Sequence, residues 1–203
     1  HPKHLDNMKK PLRILAATAA ATMLAVSCGV VSFTGRRQLL LFSDSEITAL
    51  SDQSYSEFMS TAKISRDMEA TQMLNSIGDK MVSALEAYMN SHKMGSALKG
   101  LSWEFQLVES DQVNAFCLPS GKIVFYEGIL KYADTPDYIA VVMGHEMAHA
   151  IARHGNERMS QQSAMSIIGN AASEIIGSKK GSTVQALFDL GFGIGSQAGL
   201  LLP

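Results

Sequence analysis

Two histidines and a glutamate in the middle of the chain have the types and the spacing of a metal site. The run His145-Glu146-Met147-Ala148-His149 has the pattern H-E-x-x-H. On an α-helix, residues four apart stand one turn above each other, so both histidines can present a ring nitrogen to one metal ion. Glu146 follows the first histidine by about 100° of rotation, which suits a carboxylate that reaches a water on the metal.

The ion that two imidazoles and a carboxylate favour is zinc, with one position left for a water. The motif therefore predicts one Zn²⁺ per chain, with His145 and His149 as ligands and Glu146 as the general base of a peptide hydrolysis. The alternative is chance: the string can occur on any helix, with both histidines merely satisfied by hydrogen bonds.

The flanking residues predict a buried helix that carries the motif. Thr135 or Asp134 can serve as N-cap, Pro136 suits the first helical position, and Gly155 suits a left-handed C-terminal residue. Apolar residues recur at three- and four-residue spacing, which predicts one core face with the histidine pair turned to a cleft. These residues are Ile139, Val142, Met143, Met147 and Ala150.

Three segments together resemble a known protein family. They are residues 113–125 (VNAFCLPSGKIVF), 128–130 (GIL) and 145–154 (HEMAHAIARH). They resemble the zinc metalloendopeptidases of peptidase family M48, which include the HtpX-like and BepA-like proteases and relatives of the CAAX prenyl protease. The resemblance implies an α+β, zincin-like (gluzincin) fold, mostly helical, with a small mixed β-sheet and an H-E-x-x-H active-site helix.

Four further residues gain expected roles. Arg153 and His154 match the family's extension of the motif, and we assign them to second-shell or helix-end hydrogen bonding rather than to the metal. Asn114 and Ala115 lie in a stretch that the family shares. They are candidates for a sheet edge that binds an extended peptide substrate as an added strand. A plain hairpin strand is the alternative.

The motif leaves the third protein ligand of a catalytic zinc unassigned. His154 lies about 140° around the helix from His149, so it cannot join the pair without a break between them. Metzincins supply such a break with a glycine, where this chain has Ala152. The resemblance instead implies a Glu on a later helix, beyond Pro203, so we expect a chain that stops before its third ligand. The in-chain substitutes are Glu174, Glu157 and Asp189.

The N-terminus has the pattern of a targeting segment. Basic residues precede an apolar run of residues 14–26, which predicts a secretory signal over residues 1–27. Residues 24–28 (LAVSC) resemble a bacterial lipobox, so residues 28–42 become a lipidated N-terminus and linker, with Cys28 carrying the lipid. Residues 43–203 become the metallopeptidase domain. An uncleaved anchor and a buried core helix are the alternatives to the signal.

Other patterns predict the elements around the motif. Ser43 and Glu46 form a capping box for one helix, and a second helix runs from about Asp67 to Asn90, with Tyr88 on its buried stripe. Three strands are expected at residues 103–107, 113–117 and 123–126, with a turn between the last two at Pro-Ser-Gly. Two apolar helices follow, at residues 159–175 and from about residue 183. His92 is expected at the surface.

Composition excludes some classes of protein. Seventeen basic and nineteen acidic side chains give a net charge of −2, so the chain has no excess of positive charge that would favour binding of nucleic acid. Only two cysteines are present, which excludes a disulfide framework.

The leading hypothesis is a zinc endopeptidase, membrane-anchored through Cys28 and facing the periplasm, that cleaves unfolded or unassembled proteins of the cell envelope. The second is a non-catalytic zinc-binding envelope lipoprotein with a chaperone-like or interaction role. The third is a structural helical lipoprotein with an accidental motif.

Overall fold

The structure is a computed structural model that describes residues 28–31 and 34–170 of the 203-residue chain. Helices and two small sheets make up this part of the chain, so the fold is α+β, as predicted. The helices are α1 Asp44–Thr61, α2 Met68–Ser91, α3 Pro136–Ile151 and α4 His154–Asn170. The strands are β1 Cys28–Val30, β2 Arg37–Leu39, β3 Glu104–Val108, β4 Ala115–Cys117 and β5 Lys122–Tyr126. Short 3-10 helices span Gly95–Leu98 and Glu127–Lys131.

No helix among the described residues is both long enough and apolar enough to cross a membrane.

The larger sheet has the strand order β3-β5-β4. The central strand β5 runs parallel to β3 and antiparallel to β4, so the sheet is mixed, as predicted. The turn between β4 and β5 is tight, because the Gly121 N–H bonds to the Leu118 carbonyl at 2.9 Å. Gly121 takes φ +91°, and a Cβ there would lie 3.2 Å from the backbone of Ser102. Glycine fits this position without strain.

The two faces of this sheet pack on different helices, because side chains alternate along each strand. On one face, Ile123 and Phe125 join a core built with α2 and α3. On the other face, Val124 and Tyr126 join a second core that includes α1 and Met159 of α4. The sheet is therefore a middle layer, and its edge strand β4 lies against α3.

Three helices begin where the sequence predicts. Ser43 and Glu46 form the complete capping box of α1. The Asp67 side chain caps α2, and the Thr135 side chain caps α3 with Pro136 next to it. Each cap satisfies backbone N–H groups that have no partner inside the helix, which is worth about 1 kcal/mol.

The end of α3 differs from the prediction. Gly155 does not end this helix: α3 stops at Ile151, and Gly155 lies in the first turn of α4. The left-handed residue is Arg153, with φ 56°, which a residue other than glycine rarely adopts. The Arg153 guanidinium bonds to Asp44 at 2.9 Å. The ion pair with Asp44 holds the turn at Arg153, and Asp44 is distant in sequence. A local pattern contains no sign of this contact, so it indicated the glycine instead.

The buried stripe of α2 ends on a different residue from the one predicted. Leu74 and Ile77 are buried, but near the end of the helix the buried residue is Met89, at 0% exposed, and not Tyr88, which is 52% exposed. Its ring stacks on His92, with the ring centroids 4.1 Å apart. His92 is exposed, as predicted. Spacings of three and four residues both fit one helix face, so periodicity alone does not decide between the neighbouring residues Tyr88 and Met89.

The N-terminal part of the described chain forms a hairpin. β1 and β2 pair antiparallel, with Cys28 opposite Leu39. Gly35, at φ +65°, lies in the connection, and its N–H bonds to the Val31 carbonyl at 2.9 Å. The segment expected to be an extended lead and linker therefore contains paired strands.

Candidate active site

Helix α3 places the H-E-x-x-H residues along the boundary between its buried apolar face and its solvent-exposed face. Met143 and Met147 are buried in the core, whereas His145 is exposed and His149 partly buried. The two imidazole rings lie one turn apart, with their centroids separated by 4.5 Å. Their Nε2 atoms approach to 3.0 Å. Both rings therefore direct the same type of nitrogen at one point.

The histidine pair has a geometry that fits zinc. Two nitrogen ligands on one tetrahedral zinc ion, each about 2.0–2.1 Å from it, lie about 3.3 Å apart. The observed separation of 3.0 Å between the Nε2 atoms is close to this distance. Among residues 28–31 and 34–170, no group of three His, Cys, Asp or Glu side chains could hold a metal ion. The described residues thus supply the pair and not a full ligand set.

Glu146 is a buried carboxylate next to the histidine pair, with 5% of its surface exposed. The backbone N–H of Cys117 donates a hydrogen bond to it. Burial raises the pKa of Glu146 to about 7, although the Cys117 N–H and the charge of Arg158 both act to lower it. A carboxylate with a pKa near neutrality can both take up and release a proton at physiological pH, as a general base requires.

His149 is uncharged at neutral pH. Burial lowers its pKa to about 4, and the neighbouring His145, His154 and Arg158 add to this effect. A metal ligand must be a neutral imidazole, so the protein already holds His149 in the ligating form.

His154 contacts the second nitrogen of His149. The Nδ1 atoms of the two rings lie 2.6 Å apart. If Nε2 of His149 is to bind a metal, its proton resides on Nδ1, which then donates to His154. The break between α3 and α4 brings His154 here, but to the side of His149 that faces away from His145. His154 therefore contacts Nδ1 of His149 and does not lie where the Nε2 atoms of His145 and His149 converge.

Arg153 contacts helix α1 and not the histidine pair. Its guanidinium forms an ion pair with Asp44, at 2.9 Å, which ties the turn after α3 to the first residue of α1.

Asn114 and Ala115 lie at the start of the edge strand β4, and both are buried, with 6% and 0% of their surfaces exposed. The Asn114 carbonyl accepts the Tyr126 N–H at 3.0 Å, whereas its side-chain Oδ1 has no hydrogen-bond partner among the described residues. In an antiparallel pair, alternate residues direct their backbone groups away from the partner strand. Ala115 and Cys117 are the residues of β4 that do so.

Glu157 is the in-chain substitute that lies among the described residues, and there it does not complete a set of three ligands with the histidine pair. Both carboxylate oxygens of Glu157 are bonded by the Arg36 guanidinium, at 2.6 and 2.5 Å. Glu174 and Asp189 lie outside the described residues.

Residues 73–199 of the 203-residue chain match a family model described as Peptidase family M48. The matched span covers well over half of the chain and contains β3, β4, β5, α3 and α4. The chain belongs to peptidase family M48.

Relatives of this M48 chain include named proteases. Mitochondrial metalloendopeptidase OMA1 of Arabidopsis thaliana is 38% identical over 98 residues, which are 48% of this chain and 20% of that protein. Beta-barrel assembly-enhancing protease of Escherichia coli is 31% identical over 102 residues, 50% of this chain and 19% of that protein. Human metalloendopeptidase OMA1 is 25% identical over 140 residues, 69% of this chain and 26% of that protein. The matched regions thus span about a fifth to a quarter of these relatives.

Sequence reasoning missed three residues of the M48 site. The Cys117 N–H reaches Glu146, Arg158 places a positive charge near it, and Arg36 bonds to Glu157. A pattern could have indicated Arg158, since it lies four residues after His154 on the same face of α4. Nothing local indicates the other two, because their partners are distant in sequence.

Proposed function

We propose that this protein is a zinc-dependent metalloendopeptidase that hydrolyses peptide bonds in cell-envelope proteins. The observation that carries the proposal is the convergence of the His145 and His149 Nε2 atoms, 3.0 Å apart, beside the buried carboxylate of Glu146. Membership of peptidase family M48 supports the reaction class. In this proposal the fold is zincin-like, of the gluzincin type, and α3 is its active-site helix.

The residues divide the chemistry between them. His145 and His149 would hold the zinc ion, which would supply Lewis acidity to a water molecule and to the peptide carbonyl. Glu146 takes the proton from that water on a carboxylate oxygen and passes it to the leaving amine. The Cys117 N–H orients the carboxylate during both transfers. His154, whose Nδ1 lies 2.6 Å from Nδ1 of His149, would accept a proton held on that nitrogen and so leave Nε2 of His149 for the metal. We place the third protein ligand outside the described residues.

Substrate would bind in extended form along β4, with Asn114 and Ala115 at the start of this edge. Its support is the pairing of β4 with β5 on one side, which leaves the backbone groups of Ala115 directed away from the sheet. Because Ala115 is fully buried, a substrate strand would have to displace the residues that cover this edge. An added strand binds through main-chain hydrogen bonds, so recognition of the substrate would not depend on the identity of its side chains. This suits a protease that acts on many unfolded or unassembled proteins.

The cellular setting is also a proposal. Residues 1–27 are a lipoprotein signal, Cys28 carries the lipid anchor, and residues 43–203 face the periplasm as the catalytic domain. The lipobox-like run before Cys28 supports the anchor. The bacterial relative named as a beta-barrel assembly-enhancing protease supports an envelope substrate.

Zinc binding tests the proposal at its base. For the protein expressed from its own gene, we expect equilibrium dialysis to give one zinc ion per chain, and His145→Gln or His149→Gln to abolish stoichiometric uptake. His92→Gln is the matched control, because His92 is exposed and lies outside the site. Uptake that is unchanged in the two site variants would overturn the proposal. Stoichiometric zinc without any peptide cleavage would favour the non-catalytic lipoprotein.

A further inference from the structure

The segment that leads into α1 is tied to the first turns of α4. We call residues 36–44 the strap. It makes four side-chain contacts with residues 153–160, the longest of which is 2.9 Å. The pairs are Arg36 with Glu157, Leu41 with Ser160, Phe42 with Asn156 and Asp44 with Arg153. A flexible linker would not make such a set, so the strap is part of the packed structure.

The pair of Arg36 and Glu157 has the geometry of a strong contact. The guanidinium donates from Nη1 and Nη2 to the two carboxylate oxygens, at 2.6 and 2.5 Å. The Glu157 side chain is only 10% exposed. Bidentate pairs between arginine and a carboxylate combine charge with directionality, and they fix orientation as well as position. Arg36 therefore fixes the side of α4 that carries Glu157.

The ties lie on both sides of His154. Arg153, held by Asp44, directly precedes it in a left-handed conformation that residues other than glycine rarely adopt. Glu157, held by Arg36, follows it within one turn of α4. The strap thus fixes the break that places the His154 ring on His149, with the two Nδ1 atoms 2.6 Å apart.

We propose that Arg36 is a positioning residue for the metal site: by holding Glu157 it fixes the first turn of α4, which keeps His154 on Nδ1 of His149 and leaves Nε2 of His149 free for the metal. The inference rests on the proposed function in that the metal is zinc bound by His145 and His149. Arg36 acts through other residues and touches neither the metal nor the substrate.

A purely structural strap would stabilise the fold without affecting the state of the His149 ring. Two measurements on the full chain separate these roles. The first is the zinc dissociation constant, measured by competition with a chromophoric chelator. The second is the ring ¹⁵N spectrum of the zinc-free protein at pH 7.5, which reports the nitrogen of His149 that carries the proton.

The test variant is Arg36→Gln, and the matched control is Arg37→Gln. Arg37 is the next residue, is exposed, and forms no ion pair within the described part of the chain. Both changes remove one positive charge from the same strand end. We expect Arg36→Gln to weaken zinc binding about 10-fold, at the lower end of the effects seen for outer-shell partners. Arg37→Gln should stay within about 2-fold of the wild type, since exposed charges act weakly.

The ¹⁵N spectrum gives the second expected result. In the wild type and in Arg37→Gln, the proton of His149 should reside on Nδ1. In Arg36→Gln, the ring should sample both neutral forms, because a free imidazole favours a proton on Nε2. The exchanged pair Arg36→Glu with Glu157→Arg should recover the wild-type spectrum, and thermal unfolding of each variant verifies that the fold persists.

Equal zinc affinity and equal ¹⁵N spectra for Arg36→Gln and Arg37→Gln would overturn the inference. If Arg36→Gln fails to fold, the exchanged pair and Arg36→Lys, which retains the charge without the bidentate contact, decide between the roles. Failure of the proposed function has a different signature: the wild type itself would take up no zinc, while the ¹⁵N spectra of the zinc-free proteins would still test the role of Arg36.

Discussion

The carboxylate of Glu146 on α3 accepts a hydrogen bond from the backbone N–H of Cys117, the last residue of the edge strand β4. This contact links the helix of the histidine pair to the sheet. Because Cys117 directs its backbone groups away from β5, its N–H is available to Glu146. The orientation of the proposed base therefore depends on the position of a strand and not on the side chain of Cys117.

The pKa of Glu146 predicts how the stability of the zinc-free protein changes with pH. Burial raises this pKa from 4.5 to about 7, so above pH 4.5 the folded state holds a proton that the unfolded state has lost. Glu146 therefore lowers the free energy of unfolding increasingly as the pH rises from 4.5 to 7. Glu146→Gln removes this loss. At pH 8, the free energy of unfolding of Glu146→Gln should therefore exceed that of the wild type by on the order of 3 kcal/mol.

Urea unfolding of both proteins in the presence of a chelator, from pH 4 to pH 8, checks this expectation. The lowered pKa values of His149 and His154 give a slope of opposite sign, but they are common to both proteins and cancel in the difference. A difference in unfolding free energy that does not depend on pH would show that Glu146 is not held in a protonated form.

Gly78 is predicted to be essential for the packing of α2 on the sheet. A Cβ at this position would lie 2.4 Å from the ring of Phe105. Gly78→Ala improves helix propensity by about 1 kcal/mol, but overpacking of this kind costs about 1–3 kcal/mol, so we expect a net loss of stability. Gly144→Ala is the matched control, because its nearest neighbour is the flexible end of Met81, at 3.2 Å. Denaturant unfolding that ranks Gly78→Ala as the more stable variant would contradict this account.

The cap of α3 is predicted to depend on the Thr135 hydroxyl. It accepts the Tyr138 N–H, at 3.3 Å, one of the backbone donors that the helix leaves unpaired. Thr135→Ala should lower the free energy of unfolding by about 1 kcal/mol, whereas Thr135→Ser, which retains the hydroxyl, should have a much smaller effect. Thermal unfolding of the two variants tests the cap, and equal losses would assign the effect to the lost methyl group.

Much of the fold follows from local patterns. The caps at Ser43, Asp67 and Thr135 and the alternation of polar and apolar residues in β3 are short-range features, and the structure has them where the sequence predicts them. The spacing of His145 and His149 likewise fixes their geometry once the helix is known. A helix places residues four apart on one face whatever surrounds it.

The features that local patterns did not predict depend on distant contacts. The left-handed turn at Arg153 is held by Asp44, and the strap is held by pairs such as Arg36 with Glu157. Sequence periodicity does not predict which arginine will form an ion pair with which distant carboxylate. The burial of Ala115 is of the same kind, since it results from the packing of α3 against the edge strand.

Cleavage of an unfolded protein tests the central claim most directly. The protein expressed from its own gene is loaded with zinc and incubated with denatured casein, beside Glu146→Gln and the matched control Glu109→Gln, a change at an exposed carboxylate. We predict that Glu146→Gln binds zinc as the wild type does but cleaves about 10²–10⁴-fold more slowly, while Glu109→Gln is unaffected. Cleavage by Glu146→Gln at the wild-type rate would contradict the assignment of Glu146 as the base of a zinc endopeptidase.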